Sequence, residues 1–460
     1  MPAQLEDRSP ELVRGLGMWD GVLLVVGSVI GTGVFITGGD MARVLPHGGL
    51  LLLAWLVGGL LTLAGALTYA ELGVMLPGAG GIFHFLKEAY GPFPAFLYGW
   101  SCFLVVFSGG IAAIAVGFAE YLGAFVPACS TTNILCRVSV AGFDWQLSGG
   151  QLAAVAAILL LTAVNWLGVR QGATVGNVLT VLKVGAVLGF GAVALMLPAR
   201  VPTTLMAPLP GHGTLVGFGI AMVAVLWTFD GWYGLTFSAA EMRDPARHLP
   251  RGLIWGTLIC AALYLLLNLA YLRALSVAEI AATPRVGEAA AAALLGIGGA
   301  RALGAAIVVS AFGCLASTIL YSARLYLAMA REGLFFASLG RVHPRFRTPA
   351  QSLWAQGAWS SVLALSGRYD QLYTYVIFVV VLFHIAAGAA VPVLRHTRPE
   401  AARPYRTWGY PVVPVLFILG CLALLANTLT ERPTESLLGL GLLVLGLPAY
   451  GIWRRKAVRG

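Results

Sequence analysis

Long apolar runs recur along the whole sequence and are separated by short polar connections. The runs are about 18 to 25 residues long, which is the length at which an apolar α-helix spans a bilayer. A transmembrane β-barrel would instead show alternating segments of about ten residues, which this chain lacks. The pattern therefore predicts an all-α integral membrane protein with twelve transmembrane helices. The predicted spans are 18–38, 48–76, 95–126, 150–168, 173–197, 214–240, 251–274, 300–330, 351–367, 371–394, 411–429 and 435–453.

The composition agrees with a membrane protein. Of the 460 residues, 59% are hydrophobic and 10% are charged, whereas roughly a quarter of a soluble domain is charged. The first stretch, "MPAQLEDRSPELVRGLGMWDG", lacks the basic leader and short apolar core of a cleavable signal peptide. We therefore expect the first predicted helix to remain in the mature protein.

The net charge of +10 is distributed unevenly between the two sides of the predicted membrane protein. Twenty of the 29 Lys and Arg residues lie on the amino-terminal side of the predicted spans and eight lie on the opposite side. Because positive charge marks the cytoplasmic face, both termini are expected in the cytoplasm, with the protein in the cell (inner) membrane. The segment 1–17 and the basic tail 454–460 are the predicted cytoplasmic ends. This distribution is a topology signal and does not indicate a nucleic-acid partner.

Glycine interrupts two of the predicted helices in the middle of the membrane. The first interruption is "VVGSVIGTGVFITGG" (25–39) and the second is "LWTFDGWYGLTF" (226–237). Taken alone, the first could be a G-x-x-x-G packing motif. Matched interruptions five helices apart instead favour two inverted repeats with a substrate site between them. The predicted repeats are 18–197 and 214–394, followed by two further helices at 411–453.

An interrupted helix exposes main-chain groups that can bind a ligand. Lipid offers no hydrogen bonds, so irregular backbone persists only where it lines a cavity or is buried in protein. The second half of the first helix would begin near Thr32 and Gly33, where free N–H groups favour an anion. The first half would end near Val29 and Ile30, whose carbonyl groups favour a cation, and the second interruption adds carbonyl groups near Trp227, Thr228 and Phe229.

The simplest ligand with adjacent negative and positive groups is a zwitterionic α-amino acid. Glycine at Gly31 and Gly33 tolerates the unwound dihedral angles and lets the ligand approach the backbone. A bulky side chain at either position should close the site.

Six motifs are distributed along the chain: "VGSVIGTGVF" (26–35), "LPGAGGIFHFLKEAYGPFPAFLYGW" (76–100), "FDGWYG" (229–234), "AAEMRDPARHLPRGL" (239–253), "SARLYLAMAREG" (322–333) and "RPEAARPYRTWGYPVVP" (398–414). They resemble the motifs of amino acid–polyamine–organocation permeases, especially the bacterial relatives of L-type amino acid transporters. The resemblance covers nearly the whole chain and implies the LeuT-type fold, with two inverted five-helix repeats and two additional helices.

The resemblance assigns roles to positions in both interruptions. It implies that Thr32 and Gly33 bind the substrate carboxylate, that carbonyl groups in both interruptions bind the amino group, and that Trp227 is an aromatic gate. The matching carbonyl groups are those of Val29, Trp227, Thr228 and Asp230, but some family members have glycine where Asp230 stands, so the resemblance leaves the exact carbonyl set open. The predicted substrate-binding residues are Val29, Ile30, Gly31, Thr32, Gly33, Trp227, Thr228, Phe229, Asp230 and Gly231.

Lys183 lies deep in the fifth predicted helix, within "GNVLTVLKVGAVLGFGAVAL". A charge at the bilayer centre costs a few kcal/mol and usually has a function. The resemblance implies that this ammonium replaces a sodium ion and bridges helices 1 and 8, through the backbone of 27–30 and Ser310 or Cys314. A fixed charge predicts sodium independence, whereas loss of the proton would allow proton coupling; the sequence leaves both open.

Two further features also have more than one interpretation. Asp230 is either the N-cap of the second half-helix or a counter-charge for a cationic substrate or for Lys183. Cys129 and Cys136 share one predicted outer loop, and the sequence leaves open whether they form a disulfide. The spans contain no nucleophile–base pair, phosphate-binding loop or metal-ligand spacing, so we predict no enzyme, no cofactor and no metal.

The leading hypothesis is a secondary transporter that exchanges neutral L-amino acids by alternating access, without sodium. The alternative is a proton-coupled permease for cationic amino acids or polyamines, with Asp230 as the charge partner. The predicted partners are an L-amino acid and the lipid bilayer, without nucleic acid. The sequence does not decide the substrate, the oligomeric state or an accessory subunit.

Overall fold

The protein is almost entirely helical. Its structure, a computed structural model, describes residues 11–140, 143–202, 213–366, 369–431 and 433–459. The described α-helices and strands, in chain order, are α1 (Met18–Val29), α2 (Gly33–Val44), α3 (Gly48–Met75), α4 (Ile82–Tyr90), α5 (Pro92–Ser101), α6 (Phe107–Leu122), β1 (Ile134–Val140), β2 (Phe143–Ser148), α7 (Gly149–Trp166), α8 (Val169–Met196), α9 (Gly213–Phe229), α10 (Pro245–Ala274), α11 (Val277–Ala282), α12 (Val286–Arg331), α13 (Ala350–Leu365), α14 (Tyr369–Thr397), α15 (Val412–Glu431) and α16 (Pro433–Arg459).

The predicted all-α membrane architecture is confirmed. Within the described residues, ten helices are long and apolar enough to cross a bilayer, or eleven when the bent pair α1–α2 is taken as one span. The 16-residue α13 is shorter than the roughly 20 residues that a span needs. The predicted count of twelve is therefore not confirmed. Residues 1–10 of the predicted amino-terminal segment, and residue 460 of the basic tail, lie outside the described residues.

The first interrupted helix is divided where its glycines predict. The helix α1 ends at Val29 and α2 begins at Gly33, with a bend of 45° between them. Only residues 30–32 separate the halves, so the unpaired main-chain groups of both ends lie close together.

The second interruption changes the type of helix as well as its direction. The α-helix α9 ends at Phe229, and Gly231 has φ +96°, the left-handed region that favours glycine. Residues Trp232–Glu241 then form a 3₁₀ helix instead of the α-helix expected from the sequence. A 3₁₀ helix has three residues per turn. The aromatic side chains that follow the interruption therefore point in other directions than they would in an α-helix.

The sequence did not predict the small outer hairpin or the amphipathic helix α4. Strands β1 and β2 pair in antiparallel register, with Val140 opposite Phe143 at the tip and Ile134 opposite Ser148 at the base. The thiols of Cys129 and Cys136 are free in this structure. The hairpin leads directly into α7, whose first turn is capped by Ser148.

The end of the helix bundle at which α1 begins, here called the amino-terminal side, is closed by main-chain and charged contacts. The Leu16 N–H donates to the Glu241 carbonyl oxygen at 2.9 Å, and the Arg243 N–H donates to the Leu16 carbonyl oxygen at 3.0 Å. The carboxylate of Glu241 accepts two hydrogen bonds from Arg324 in α12, at 2.7 and 3.0 Å, and both side chains are fully buried. These contacts join the chain before α1, the 3₁₀ helix and α12.

Candidate functional site

Both helix interruptions face one cavity of about 470 Å³. The cavity extends from the interruptions toward the end of the bundle opposite the amino-terminal side, where Asp40, Arg43, Glu120 and Arg285 line its mouth. On the amino-terminal side, the ring centroids of Phe107 and Tyr321 lie 5.6 Å apart and form the floor. The lining thus extends from this aromatic pair to charged residues at the opposite end of the bundle.

The first interruption directs the start of α2 at this cavity. Thr32 occupies the N-cap position of α2 and makes no side-chain capping hydrogen bond, and Gly33 is the first helical residue. The first N–H groups of a helix have no partner inside the helix, and they form its positive end. Thr32 and Gly33 both line the cavity, so this end of α2 is suited to an anionic group.

Tyr264 in α10 connects the carbonyl groups of the two interruptions. Its hydroxyl oxygen lies 2.9 Å from the Val29 carbonyl oxygen and 3.0 Å from the Thr228 carbonyl oxygen. A hydroxyl has one proton, so it can donate to only one of these carbonyl groups at a time. Ser28 adds a second connection, because its hydroxyl oxygen lies 3.1 Å from the Gly231 carbonyl oxygen. The two interruptions are thus held next to each other.

The ammonium of Lys183 lies among three carbonyl groups. Its Nζ atom is 2.9 Å from the Gly27 oxygen, 2.7 Å from the Ile30 oxygen and 3.1 Å from the Ser310 oxygen, and the side chain is 1% exposed. The Ser310 hydroxyl also donates within the first interruption, at 3.0 Å from the Ile30 oxygen and 3.2 Å from the Gly31 oxygen. The ammonium therefore neutralises the carbonyl end of α1 and joins it to α12.

The structure brings most of the predicted binding residues together at the cavity. Eight of them line it: Val29, Gly31, Thr32, Gly33, Trp227, Thr228, Asp230 and Gly231. Ile30 and Phe229 do not line it. The Ile30 carbonyl faces Lys183 instead, and the Phe229 ring packs 4.9 Å from the Tyr264 ring. Cys314 lines the cavity as well, and its thiol donates to the Ser28 carbonyl oxygen at 3.0 Å.

Asp230 does not occupy the N-cap position that one interpretation of the sequence gave it. Gly231 is the N-cap of the 3₁₀ helix, and the Asp230 carboxylate lies near the Tyr233 hydroxyl and the Gly231 N–H. Asp230 and Trp227 line the main cavity and also a second pocket of about 50 Å³ beside His384. The carboxylate thus lies at the boundary between two cavities.

Sequence reasoning missed the wall formed by α6 and the end of the π-helical segment before it (Cys102–Val106), and it also missed Tyr264. The wall residues are mostly small and follow the spacing of one helix face. This pattern is visible in the sequence, but small residues at the same spacing also occur where two membrane helices simply pack together. The hydroxyl of a single tyrosine in an apolar span carries no such pattern. The wall residues are Val106, Gly110, Ala113, Ile114 and Gly117.

Among the residues that the structure describes, no group of three or more His, Cys, Asp or Glu side chains is placed to hold a metal ion. The polar groups at the cavity are main-chain N–H and C=O groups, hydroxyls, one thiol, carboxylates and, at the mouth, the guanidinium groups of Arg43 and Arg285. Such a set can bind a small dipolar solute by hydrogen bonds and charge.

Comparisons with known proteins agree over nearly the whole chain. Residues 16–438 match the model of the family described as amino acid permease. The chain is 32% identical over 450 residues to the serine/threonine exchanger SteT of Bacillus subtilis (strain 168), covering 97% of this chain and 98% of SteT. It is 30% identical over 457 residues to the human b(0,+)-type amino acid transporter 1, covering 97% of this chain and 89% of that transporter. It is 29% identical over 460 residues to the branched-chain amino acid permease BcaP of Bacillus subtilis (strain 168), covering 97% of this chain and 94% of BcaP.

Proposed function

The chain belongs to the amino acid permease family, and from this premise we propose that it exchanges neutral L-amino acids across the cell membrane without sodium. Its family and the relatives named above are amino acid transporters and not enzymes. The proposal adds three features to amino acid transport: a neutral substrate, exchange as the mode of transport, and independence of sodium.

One observation carries this proposal: the main chains of both interruptions face a single cavity. An α-amino acid carries a carboxylate and an ammonium on one carbon atom. In the proposed complex, the carboxylate accepts hydrogen bonds from the start of α2 at Thr32 and Gly33. The ammonium donates to carbonyl groups at Val29, Thr228 and Asp230, next to the hydroxyl of Tyr264.

The proposed direction of transport follows from where the cavity is closed. The amino-terminal side is taken as cytoplasmic, because positive charge is concentrated there. The cavity then opens to the outside, while Leu16, Glu241 and Arg324 close the cytoplasmic side. Rocking of one set of helices against another would open the cytoplasmic side and release the substrate.

Lys183 supports exchange without sodium. A positive group already occupies the space between α1 and α12, at 2.7 to 3.1 Å from three carbonyl oxygens. These are the hard oxygen ligands that a small cation would otherwise use. A second cation at this place would meet a like charge.

Exchange in proteoliposomes tests the proposal. We expect liposomes that contain the purified protein and unlabelled alanine to take up labelled alanine and leucine equally well with and without sodium. Uptake should be small when the liposomes contain no amino acid, because exchange requires a substrate on both sides. Uptake that requires sodium, or that is equal in empty liposomes, would contradict the proposed mode.

A cationic substrate is the second candidate, because Asp230 places a carboxylate at the cavity. The Tyr233 hydroxyl and the Gly231 N–H lie near this carboxylate. A carboxylate has about four lone-pair sites, so it could still accept from a cationic side chain. Labelled arginine, tested with and without a pH gradient, separates the two candidates.

Valine in place of Gly33 should close the site. A Cβ atom at Gly33 would lie 3.2 Å from both the Cγ2 and the Oγ1 atoms of Thr228, so the two further methyl groups of valine would enter the space of the carboxylate. We expect alanine exchange by Gly33→Val to fall at least about tenfold, the scale on which pockets respond to single methylene groups.

Gly38→Ala is the matched control for Gly33→Val. It lies in the same helix, and a Cβ atom there would make only an ordinary contact of 3.7 Å with Val286. Equal exchange by Gly33→Val and the parent protein would show that the substrate does not lie against Gly33.

A further inference from the structure

An aromatic cluster lies on the amino-terminal side of the bundle, where α7 ends and α13 begins. The helix α12 reaches this side at Arg324, and the loop that follows it leads into α13. The ring centroid of Trp166 lies 5.3 Å from that of Phe346 and 6.3 Å from that of Trp354. The Thr348 hydroxyl donates to the Trp166 carbonyl oxygen at 2.8 Å. Because tryptophan is enriched at the boundary between hydrocarbon and headgroups, this cluster marks the level of the lipid headgroups.

The loop before α13 places two arginine side chains beside this cluster. The guanidinium carbon of Arg345 lies over the Phe346 ring, 5.5 Å from its centroid. Two main-chain hydrogen bonds close the loop, from the His343 N–H to the Thr348 oxygen at 2.8 Å and from the Arg347 N–H to the His343 oxygen at 2.9 Å. Arg347 has φ +55°, a conformation that a non-glycine residue keeps only where its surroundings fix it. The loop is therefore a defined structure that carries two cations.

No carboxylate of the protein pairs with these two cations. Within the described part of the chain, neither Arg345 nor Arg347 forms an ion pair, and both are exposed. The segments 145–229 and 333–366, which contain α7 and α13, have no Asp or Glu. A positive patch without counter-charges at a membrane surface attracts anionic lipids.

Exposed apolar surface continues from the cluster along both helices. On α13, Trp354 is 39% exposed and Val362 is 53% exposed, and eight residues extend about 12 Å along a helix. At the end of α7, Leu167 is 44% exposed. A phosphate group at the arginines would therefore have apolar surface next to it for its acyl chains.

We propose that Arg345, Arg347, Trp166, Phe346 and Trp354 form a binding site, here called the headgroup site, for a phospholipid with an anionic headgroup. The guanidinium groups donate charge-assisted hydrogen bonds to the phosphate, and the acyl chains lie along the exposed face of α13. Positive charge on this side is enough to set the topology, but topology does not require two arginines fixed beside an aromatic cluster. The headgroup site lies apart from the substrate cavity, so it does not depend on the proposed function.

Thermal unfolding of the purified full-length protein in detergent micelles tests the proposal. The melting temperature would be measured with increasing phosphatidylglycerol, with phosphatidylcholine, and with inorganic phosphate, which has the charge but no acyl chains. One variant combines Arg345→Gln with Arg347→Asn, because asparagine tolerates a positive φ. The matched control, Arg247→Gln with Arg251→Gln, also removes two exposed arginines on the amino-terminal side.

A lipid that binds the folded protein raises its melting temperature. We expect phosphatidylglycerol to stabilise the parent and the control equally, and phosphatidylcholine and inorganic phosphate to have little effect. An arginine near an anionic surface contributes about fivefold in affinity, so the double variant should need about 30-fold more phosphatidylglycerol for the same rise. Each rise is measured from the variant's own lipid-free melting temperature. Arg345→Gln alone, with an expected loss of about fivefold, keeps the test valid if the double variant does not fold.

Three results would overturn the proposal. Phosphatidylcholine could stabilise the parent as much as phosphatidylglycerol, which would show that the headgroup charge is not recognised. The double variant could respond to phosphatidylglycerol in the same way as the parent. Inorganic phosphate could stabilise the parent as much as phosphatidylglycerol at the same concentration, which would make the headgroup site a site for a soluble anion.

Discussion

Replacing Lys183 with alanine is expected to reduce amino acid exchange by at least about a hundredfold. The ammonium holds the carbonyl groups of Gly27, Ile30 and Ser310 at 2.7 to 3.1 Å. A hydrogen bond to a charged group contributes about 1.5–3 kcal/mol, and a buried acceptor left without its partner costs about 1–3 kcal/mol. Two of the freed carbonyl groups belong to the end of α1, so the first interruption would lose the geometry that places Val29 and Thr32.

The measurement compares exchange, substrate-induced thermal stabilisation and unliganded melting temperature of Lys183→Ala with those of the parent protein. Lys87→Ala is the matched control, because it also removes a lysine. The Lys87 ammonium forms a partly exposed ion pair with Glu332 at 2.5 Å, and such pairs contribute about 0–1 kcal/mol. Normal exchange by Lys183→Ala would contradict the role given to the ammonium.

Replacing Arg324 with alanine is expected to lower the free energy of unfolding by about 3–5 kcal/mol, the cost of removing one partner from a buried ion pair. The guanidinium donates to both carboxylate oxygens of Glu241 at 2.7 and 3.0 Å, and neither side chain is exposed. It also donates to the Leu320 carbonyl oxygen. Without it, the Glu241 carboxylate would remain buried and unpaired at the closed end of the bundle. Denaturant unfolding in detergent micelles measures the change.

The double variant Glu241→Leu/Arg324→Met separates the loss of a partner from the value of the pair itself. Replacing both charges with apolar groups of similar size is often neutral, so we expect much of the lost stability to return. Arg43→Ala is the control, because its ion pair with Asp40 is largely exposed. A change of less than about 1 kcal/mol in Arg324→Ala would show that the pair does not hold the amino-terminal side closed.

The local pattern of the sequence determined the membrane class, most spans and the positions of both interruptions. A long run of apolar residues indicates that a helix is surrounded by lipid. A glycine indicates where the backbone can leave helical geometry. These are properties of a few neighbouring residues. The ends of long helices were less well determined: the span predicted at 300–330 is part of α12, which begins at Val286 and contains a non-helical Gly296.

Only the tertiary structure decided which groups surround the interruptions. Tyr264 reaches the Val29 and Thr228 carbonyl oxygens from 235 and 36 residues away in sequence. Glu241 and Arg324 are 83 residues apart and pair directly. Gly110 looks like any other glycine in an apolar span until the cavity beside it is known. Hydrophobic periodicity specifies that a helix is buried, but a hydrogen bond or an open space depends on how several helices pack, and no single segment encodes that arrangement.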